Sequence, residues 1–320
     1  MVETKSYDLV VIGSGPAGYV AAIRAAQLGM SVACVEREFL GGTCLNVGCI
    51  PSKALLDATE HWAWLQKDAA RIGIAAQGLS LDWSKTQAHR QKVVDASTKG
   101  VAYLFKKHSI DHLDGEGGFV EPGAIEVTGT EGSTRVGYRA AIVATGSEPI
   151  PLPGTPFDGA RVISSTEGLE LAEIPGRLVV VGGGYIGLEM GSVYQRVGTK
   201  VVVVEMLDTI LPGMDADLRK EAARLLGKQG IDLRTGTRVN GVQAGAGGVK
   251  VTVVGGGGEE TLEADAVLVA IGRRPVTEGL NLEAVGAETT ERGFVKVDAG
   301  FRAAENVYAV GDVIGGKMLA

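Results

Sequence analysis

One pattern occurs twice in this chain of 320 residues and limits what it can fold into. The apolar run Tyr7-Asp8-Leu9-Val10-Val11-Ile12 has the length of a strand. It meets Gly13-Ser14-Gly15-Pro16-Ala17-Gly18, after which the alanine-rich stretch from Tyr19 to Leu28 reads as a helix. Gly29 closes that helix, and a second strand from Ser31 to Val35 ends at Glu36, 23 positions after Gly13. Each glycine has a mechanical task. Gly13 makes the tight turn, Gly15 lets the backbone reach a pyrophosphate, and Gly18 lets helix pack on strand. The helix start offers unpaired N–H groups and the positive end of a dipole. A carboxylate at the next strand end suits ribose hydroxyls.

The second copy runs Leu178-Val179-Val180-Val181, then Gly182-Gly183-Gly184-Tyr185-Ile186-Gly187, then a helical stretch to about Val197. Gly198 closes it, and Lys200 to Val204 ends at Glu205, again 23 positions after the first glycine. One such turn could be a plain bend in a parallel sheet. Two, each between strand and helix and each with an acid at the same offset, predict two dinucleotide sites.

Each half also carries a later apolar strand that runs into a glycine turn: Ala141 to Gly146, and Ala266 to Gly272. Alternating regions precede them at 117–139 and 239–264, with Gly255 to Gly258 as a hairpin tip. Asn306-Val307-Tyr308-Ala309-Val310-Gly311-Asp312 is a further short strand, expected to return the chain to the first sheet. The expected fold class is α/β, with two Rossmann-like doubly wound parallel-sheet domains that carry small antiparallel inserts, the second inserted in the first. The expected boundaries are 1–149 for the first domain, 150–275 for the second and 276–320 for the return segment. The proline- and glycine-rich stretches 149–154 and 272–275 are the linkers.

Composition narrows the function classes. Glycine supplies 48 residues, about twice its usual share, without the Gly-X-Y period of collagen. A hydrophobic fraction of 45% with 22% charged residues excludes wholesale disorder. A net charge of −7 and the lack of a long basic run argue against a nucleic-acid partner. No apolar stretch reaches the ~18 residues of a membrane span. The first strand begins near Tyr7, so no leader peptide is expected; the chain reads as a bacterial cytoplasmic protein or a processed one of the mitochondrial matrix. Three cysteines are too few for a disulfide scaffold.

Two of those cysteines stand in Gly41-Gly42-Thr43-Cys44-Leu45-Asn46-Val47-Gly48-Cys49-Ile50-Pro51-Ser52-Lys53-Ala54-Leu55-Leu56. On a regular helix Cys44 and Cys49 would be separated by a rise of about 7.5 Å and face different ways. A disulfide needs Cα atoms within about 7 Å, so a bond requires bent backbone between them. Gly48 is placed to allow it. Lys53, four residues after Cys49, falls near the cysteine's face on a helix beginning near Pro51. On the residues alone the pair reads as a redox-active disulfide, as two buried thiols, or least readily as a metal site, since no further ligand is near. Cys34 lies in an apolar strand and reads as core.

The order of these parts resembles the flavin-dependent pyridine nucleotide-disulfide oxidoreductases, over the whole chain. Residues 41–56 look like the dihydrolipoamide dehydrogenase branch; glutathione reductase and mercuric reductase differ after the second cysteine. The resemblance implies FAD- and NAD-dependent oxidation of protein-bound dihydrolipoamide through a Cys44–Cys49 disulfide. It implies the lipoyl domain of a 2-oxo acid dehydrogenase complex as partner, and a homodimer as the working assembly. It places the FAD pyrophosphate at Gly13, Gly15 and Gly18, the adenosine ribose at Glu36, and the flavin at Gly42, Thr43 and Lys53. Gly117, Thr145, Gly146 and Ser147 match positions near adenine and phosphates, Asp312 the ribityl chain, and Met318, Leu319 and Ala320 a segment touching the flavin. NAD falls to Gly182, Gly184, Gly187, Glu205, Val239 and Gly272. Glu189 matches a glutamate that pairs with the lysine, so a Lys53–Glu189 ion pair across the domain boundary is expected. By the same resemblance Cys49 lies against the flavin and Cys44 exchanges with the substrate dithiol.

The resemblance fails in one place. The family's proton acceptor is a histidine paired with a glutamate in a further C-terminal domain that forms the dimer interface. Here His61, His89, His108 and His112 all precede the second domain, and none matches it. A truncated form without the dimerisation domain is therefore expected: a chain of the dihydrolipoamide dehydrogenase branch, impaired or inactive toward lipoamide. A flavoprotein core that binds FAD and NAD without lipoamide turnover is the alternative, and a related disulfide oxidoreductase such as mercuric reductase a weaker rival. His108 and His112 read as partly exposed residues of one helix rather than as a metal pair, and no metal site is expected.

Overall fold

A computed structural model describes residues 5–130 and 132–319. Ala320, one of the residues expected near the flavin, lies outside them. The contacts divide the chain into two compact units. One holds the residues up to Ile50, Val94–Glu148 and those from Arg273 on; the other holds Pro51–Val93 and Pro149–Gly272.

In the first unit the strand Lys5–Ile12 lies parallel to Val32–Glu36, with Val10 beside Ala33 and Ile12 beside Val35. On its other side it is parallel to Gly132–Val143, with Val11 beside Ile142. The sheet runs, from one edge, Arg302–Ala304, Val307–Ala309, Gly132–Val143, Lys5–Ile12, Val32–Glu36, Asp111–Asp114. Arg302–Ala304 is antiparallel to its neighbour; the other pairings along this path are parallel. The strand Gly132–Val143 has a second role. Its first half pairs antiparallel with Ala124–Gly129, which pairs with Glu116–Glu121, so one strand joins the insert to the sheet.

Successive side chains of a strand point to opposite faces. Val10 and Ile12 accordingly enter a core with Phe119, Ile125 and Val127 of the insert. Leu9 and Val11 enter another, with Ala22 and Ala25 of the helix Pro16–Gln27 and with Val101 and Phe105. With both faces covered, the parallel strands can be apolar without alternation, as Val32–Glu36 is.

The second unit repeats the plan. Its sheet runs Val162–Ile163, Ala266–Val269, Arg177–Val181, Lys200–Val204, Asp232–Arg234, all parallel. Leu178 and Val180 pack with Leu188 and Tyr194 of the helix Tyr185–Arg196. Val179 and Val181 pack with Val251 and Val253 of an antiparallel meander formed by Arg238–Gly245, Gly248–Gly255 and Gly258–Ala264. Gly255 pairs with Gly258 across a two-residue turn.

Residues 51–93 were expected in the first domain but group with the second unit. The physical reason is burial: Leu55 and Trp83 belong to the second unit's core, and Trp83 Nε1 donates to the Leu171 carbonyl at 2.8 Å. His108 and His112 do not share a helix. The helix Trp83–Lys107 ends before them, Ser109 takes a left-handed φ of 54°, and His112 lies in the strand Asp111–Asp114.

The third glycine of each turn leaves no room for a side chain. A Cβ on Gly18 would sit 1.8 Å from the Gly13 carbonyl oxygen, and one on Gly187 would sit 2.2 Å from that of Gly182. The obstacle is backbone in both cases. Gly18→Ala and Gly187→Ala are therefore expected to lower Tm by more than ~5 °C each. Gly100→Ala, where a helical Cβ would meet nothing within 4 Å, should stabilise by about 0.5–1 kcal/mol. Thermal melts of the three variants check this; an unchanged Tm for Gly18→Ala would contradict the packing argument.

Candidate dinucleotide and dithiol sites

The two glycine turns share a backbone geometry. Gly13 has φ 98° and Gly182 φ 111°. The Gly13 N–H donates to the Val35 carbonyl and the Gly182 N–H to that of Val204, both at 2.8 Å. A Cβ on Gly13 would lie 2.4 Å from the Ala144 carbonyl oxygen, and one on Gly182 would lie 2.3 Å from that of Ala270. Gly15 and Gly184, the second glycines, face open space instead. Each caps its helix with no side-chain hydrogen bond to the first turn, Pro16–Gln27 in one case and Tyr185–Arg196 in the other. Amides at the ends of parallel strands, uncapped by side chains and reached through an open glycine, suit an anionic diphosphate.

The acids at the strand ends hold the turns. Glu36 Oε2 accepts from the Ser14 N–H at 2.9 Å and the Ser14 hydroxyl at 2.7 Å, and Oε1 accepts from the Glu38 N–H at 3.0 Å. Glu205, 9% exposed, accepts from the Gly183 N–H at 2.7 Å and the Leu207 N–H at 2.8 Å.

The cysteines stand at a break between two helices. Gly42–Val47 is a short helix, and Cys49–Lys67 begins two residues earlier than Pro51. Gly48, at φ −145° and ψ −116°, separates them; a Cβ there would lie 2.8 Å from the Thr43 carbonyl oxygen. Thr43 is exposed, and Cys44 and Cys49 are half-buried. Burial, then the neighbouring Cys44 and Cys49, raise the pKa of the Tyr19 hydroxyl, a residue the sequence did not single out. Cys34 is fully buried, and burial, then Glu36, push its thiol far above the ordinary range.

At the other strand ends of the first unit, the Thr145 hydroxyl donates to the Val276 carbonyl at 2.6 Å, and Gly146 has φ 71°. The Ser147 hydroxyl donates to Asp312 Oδ2 at 2.6 Å and accepts from Arg273 Nε at 2.7 Å. Arg273 is a positioning group missed in the sequence. Gly117 packs against Val35 and Ile12, which a Cβ would approach to 3.2 and 3.3 Å. Met318 has φ 50°, and Leu319 is exposed.

In the second unit Lys53 Nζ donates to both carboxylate oxygens of Glu189, at 2.8 and 2.9 Å. The pair does not cross a boundary as expected: both residues lie within this unit, because the division falls between Ile50 and Pro51. Val239 lies in the strand Arg238–Gly245 beside Val253, and Gly272, at φ 137°, accepts from the Ile150 N–H at 3.1 Å.

Residues 7–320 match the family described as pyridine nucleotide-disulphide oxidoreductase, and the chain belongs to it. Proteins of this family use FAD and NAD. The chain is 48% identical over 321 residues to dihydrolipoyl dehydrogenase 3 of Pseudomonas aeruginosa, covering 99% of itself and 68% of that protein. It is 48% identical to the mitochondrial dihydrolipoyl dehydrogenase of Pisum sativum, covering 98% of itself and 64% of that protein. Among solved structures it is similar to the HOCl-induced flavoprotein disulfide reductase RclA of Escherichia coli in its Cu(II) complex. There the TM-score is 0.85 and the identity 30%, over 99% of this chain and 68% of that one. LpdA of Mycobacterium tuberculosis gives a TM-score of 0.88 at 28% identity, over 98% of this chain and 68% of that one. The chain thus spans from 61% to 69% of the length of such curated relatives.

The Lys53 side chain is 60% exposed and that of Glu189 30%. An ion pair so open contributes about 0.2–1 kcal/mol. Glu189→Gln is therefore expected to move Tm by no more than ~4 °C. A drop beyond ~10 °C in a thermal melt would show a mainly structural role instead.

Proposed function

We propose that this chain handles nucleotides and dithiols as a dihydrolipoyl dehydrogenase does, oxidising the dihydrolipoamide of a lipoyl domain in a 2-oxo acid dehydrogenase complex. One observation carries the reading: two glycine turns of like geometry occur in one chain with a cysteine pair at a helix break. FAD, when bound, supplies the two-electron link between nicotinamide and disulfide. The work of the chain is to bind and orient. Gly13, Gly15, Gly18 and the start of Pro16–Gln27 would hold the FAD pyrophosphate. Glu36 would hold the ribose with the lone pairs its backbone contacts leave, and Asp312, fixed by Ser147 and Arg273, the ribityl chain. Gly42, Thr43 and Lys53 would serve the flavin, and Gly117, Thr145, Gly146 and Ser147 the adenine and phosphates. The segment of Met318 and Leu319 belongs to the same site.

Gly182, Gly184, Gly187, Val239 and Gly272 would take NAD. Glu205 favours a ribose with a free 2′-OH and repels a 2′-phosphate, so NAD is preferred over NADP. Cys44 and Cys49 would alternate between a thiol pair and a disulfide, with Cys44 exchanging with substrate. A homodimer and a cytoplasmic or matrix location belong to this reading. Among the described residues no helix is long and apolar enough to cross a membrane.

Thiol–disulfide exchange requires a thiolate, so a base must take the substrate's proton. His61 Nδ1 lies 2.9 Å from the Asp57 carbonyl, and His112 lies 3.6 Å from Asp114. None of His61, His89, His108 and His112 matches the family's proton acceptor. On FAD-saturated chain, NADH is expected to reduce a small artificial acceptor, faster than NADPH does. NADH formation from dihydrolipoamide should run ~10²–10⁴-fold below a dihydrolipoyl dehydrogenase assayed beside it, the usual worth of general-base assistance. The absence of FAD-dependent dye reduction would overturn the proposal. Lipoamide turnover at the rate of the reference enzyme would show that another group serves as base.

A further inference from the structure

Ser14 sits between the first two glycines of the first turn and is wholly buried. Nothing in the spacing of the glycines requires a hydroxyl there; the equivalent residue of the second turn is Gly183. The hydrogen bonds around the two positions differ accordingly. At the second turn, among the described residues, the acid is bonded by backbone, through the N–H groups of Gly183 and Leu207. At the first, Ser14 adds a three-way connection. Its hydroxyl donates to Glu36 Oε2 at 2.7 Å, while its oxygen accepts from the buried N–H of Gly41 at 3.0 Å. The Phe39 carbonyl lies 3.3 Å from the same oxygen.

Gly41 is no ordinary partner. It has φ 94°, and it caps the short helix Gly42–Val47 that carries Cys44. The turn around it is closed by the Gly42 N–H donating to the Phe39 carbonyl at 2.8 Å. Gly42 packs so closely on the first turn that a Cβ there would come within 2.6 Å of Gly15 Cα. The Ser14 hydroxyl is thus a side-chain link, inside that contact, between the acid at the nucleotide end and the segment leading to the cysteine.

We propose that Ser14 is a positioning residue that couples Glu36 to the Gly41–Gly42 turn, so that nucleotide binding at the first glycine turn and the ordering of the Cys44 segment reinforce each other. The proposal rests on the reading of that turn as the FAD site. The bonds carry two consequences. Without the hydroxyl, the Gly41 N–H is buried with its acceptor gone, which destabilises the turn. Glu36 also loses one of its donors and is held less firmly for the ribose. A change of the acid alone affects only the second, because Ser14 still accepts from Gly41.

Cys34 provides an internal control. It is fully buried in the strand Val32–Glu36, so it is alkylated only when the sheet opens. The experiment alkylates the reduced chain with iodoacetamide, with and without FAD, and follows each cysteine by peptide mass spectrometry. FAD affinity is measured separately by flavin fluorescence. Ser14→Ala and Ser14→Gly, the second reproducing the residue of the other turn, should each weaken FAD binding ~10-fold and speed Cys44 alkylation in the FAD-free chain ~5–10-fold. Cys34 should stay unlabelled in both. Glu36→Gln should weaken FAD binding while leaving Cys44 alkylation within about twofold of the natural chain. Unchanged Cys44 alkylation in both Ser14 variants overturns the proposal, and so does a rise in Cys34 labelling in step with Cys44. If the natural chain binds no FAD but the alkylation results hold, the reading of the nucleotide site falls and the Ser14 link to the cysteine segment stands.

Discussion

In each unit the contact between the third glycine of the turn and the carbonyl of the first governs the rest. Helix and strand approach there to a distance that a single methyl group would prevent. That approach aims the start of the helix at the space above the strand ends. It also forces the first glycine into a left-handed backbone, at φ 98° in one turn and 111° in the other. The chain between the two glycines is then short and tightly bent, and its second glycine is left facing open space. An open, amide-lined surface of the kind that suits phosphate arises from how closely two backbones pack, before any charged side chain is considered.

The acids complete the arrangement from the neighbouring strand. Glu36 and Glu205 each accept hydrogen bonds from turn amides, so each has a structural task besides any ligand contact. A carboxylate has about four lone-pair sites, and the backbone bonds leave some of them for ribose hydroxyls. The two turns use this device differently. The second relies on backbone donors, whereas the first adds the Ser14 hydroxyl and reaches the segment that carries Cys44.

Much of this was legible in the sequence because it rests on local rules. The glycine spacing, the acid 23 residues on and the apolar strands report backbone geometry directly. The two inserts were visible through alternation, and the break between the cysteines through Gly48. The hidden parts depend on tertiary packing. Whether Leu55 and Trp83 join one unit or the other is decided by the core that receives them, and no local pattern states it. The Lys53–Glu189 pair therefore falls inside the second unit rather than across a boundary. His108 and His112 keep helical spacing, yet the positive φ of Ser109 ends the helix before them. Ser14, Tyr19 and Arg273 carried no motif signal, since their partners are distant in the chain and only folding brings them near.

On the proposed reading, two turns of one geometry make two separate dinucleotide sites. Isothermal titration of the purified chain with FAD and with NAD, singly and then each in the presence of the other at saturation, distinguishes two sites from one. One FAD and one NAD should bind per chain, neither displacing the other. Competition between the two nucleotides for a single site, or uptake of only one of them, would contradict it.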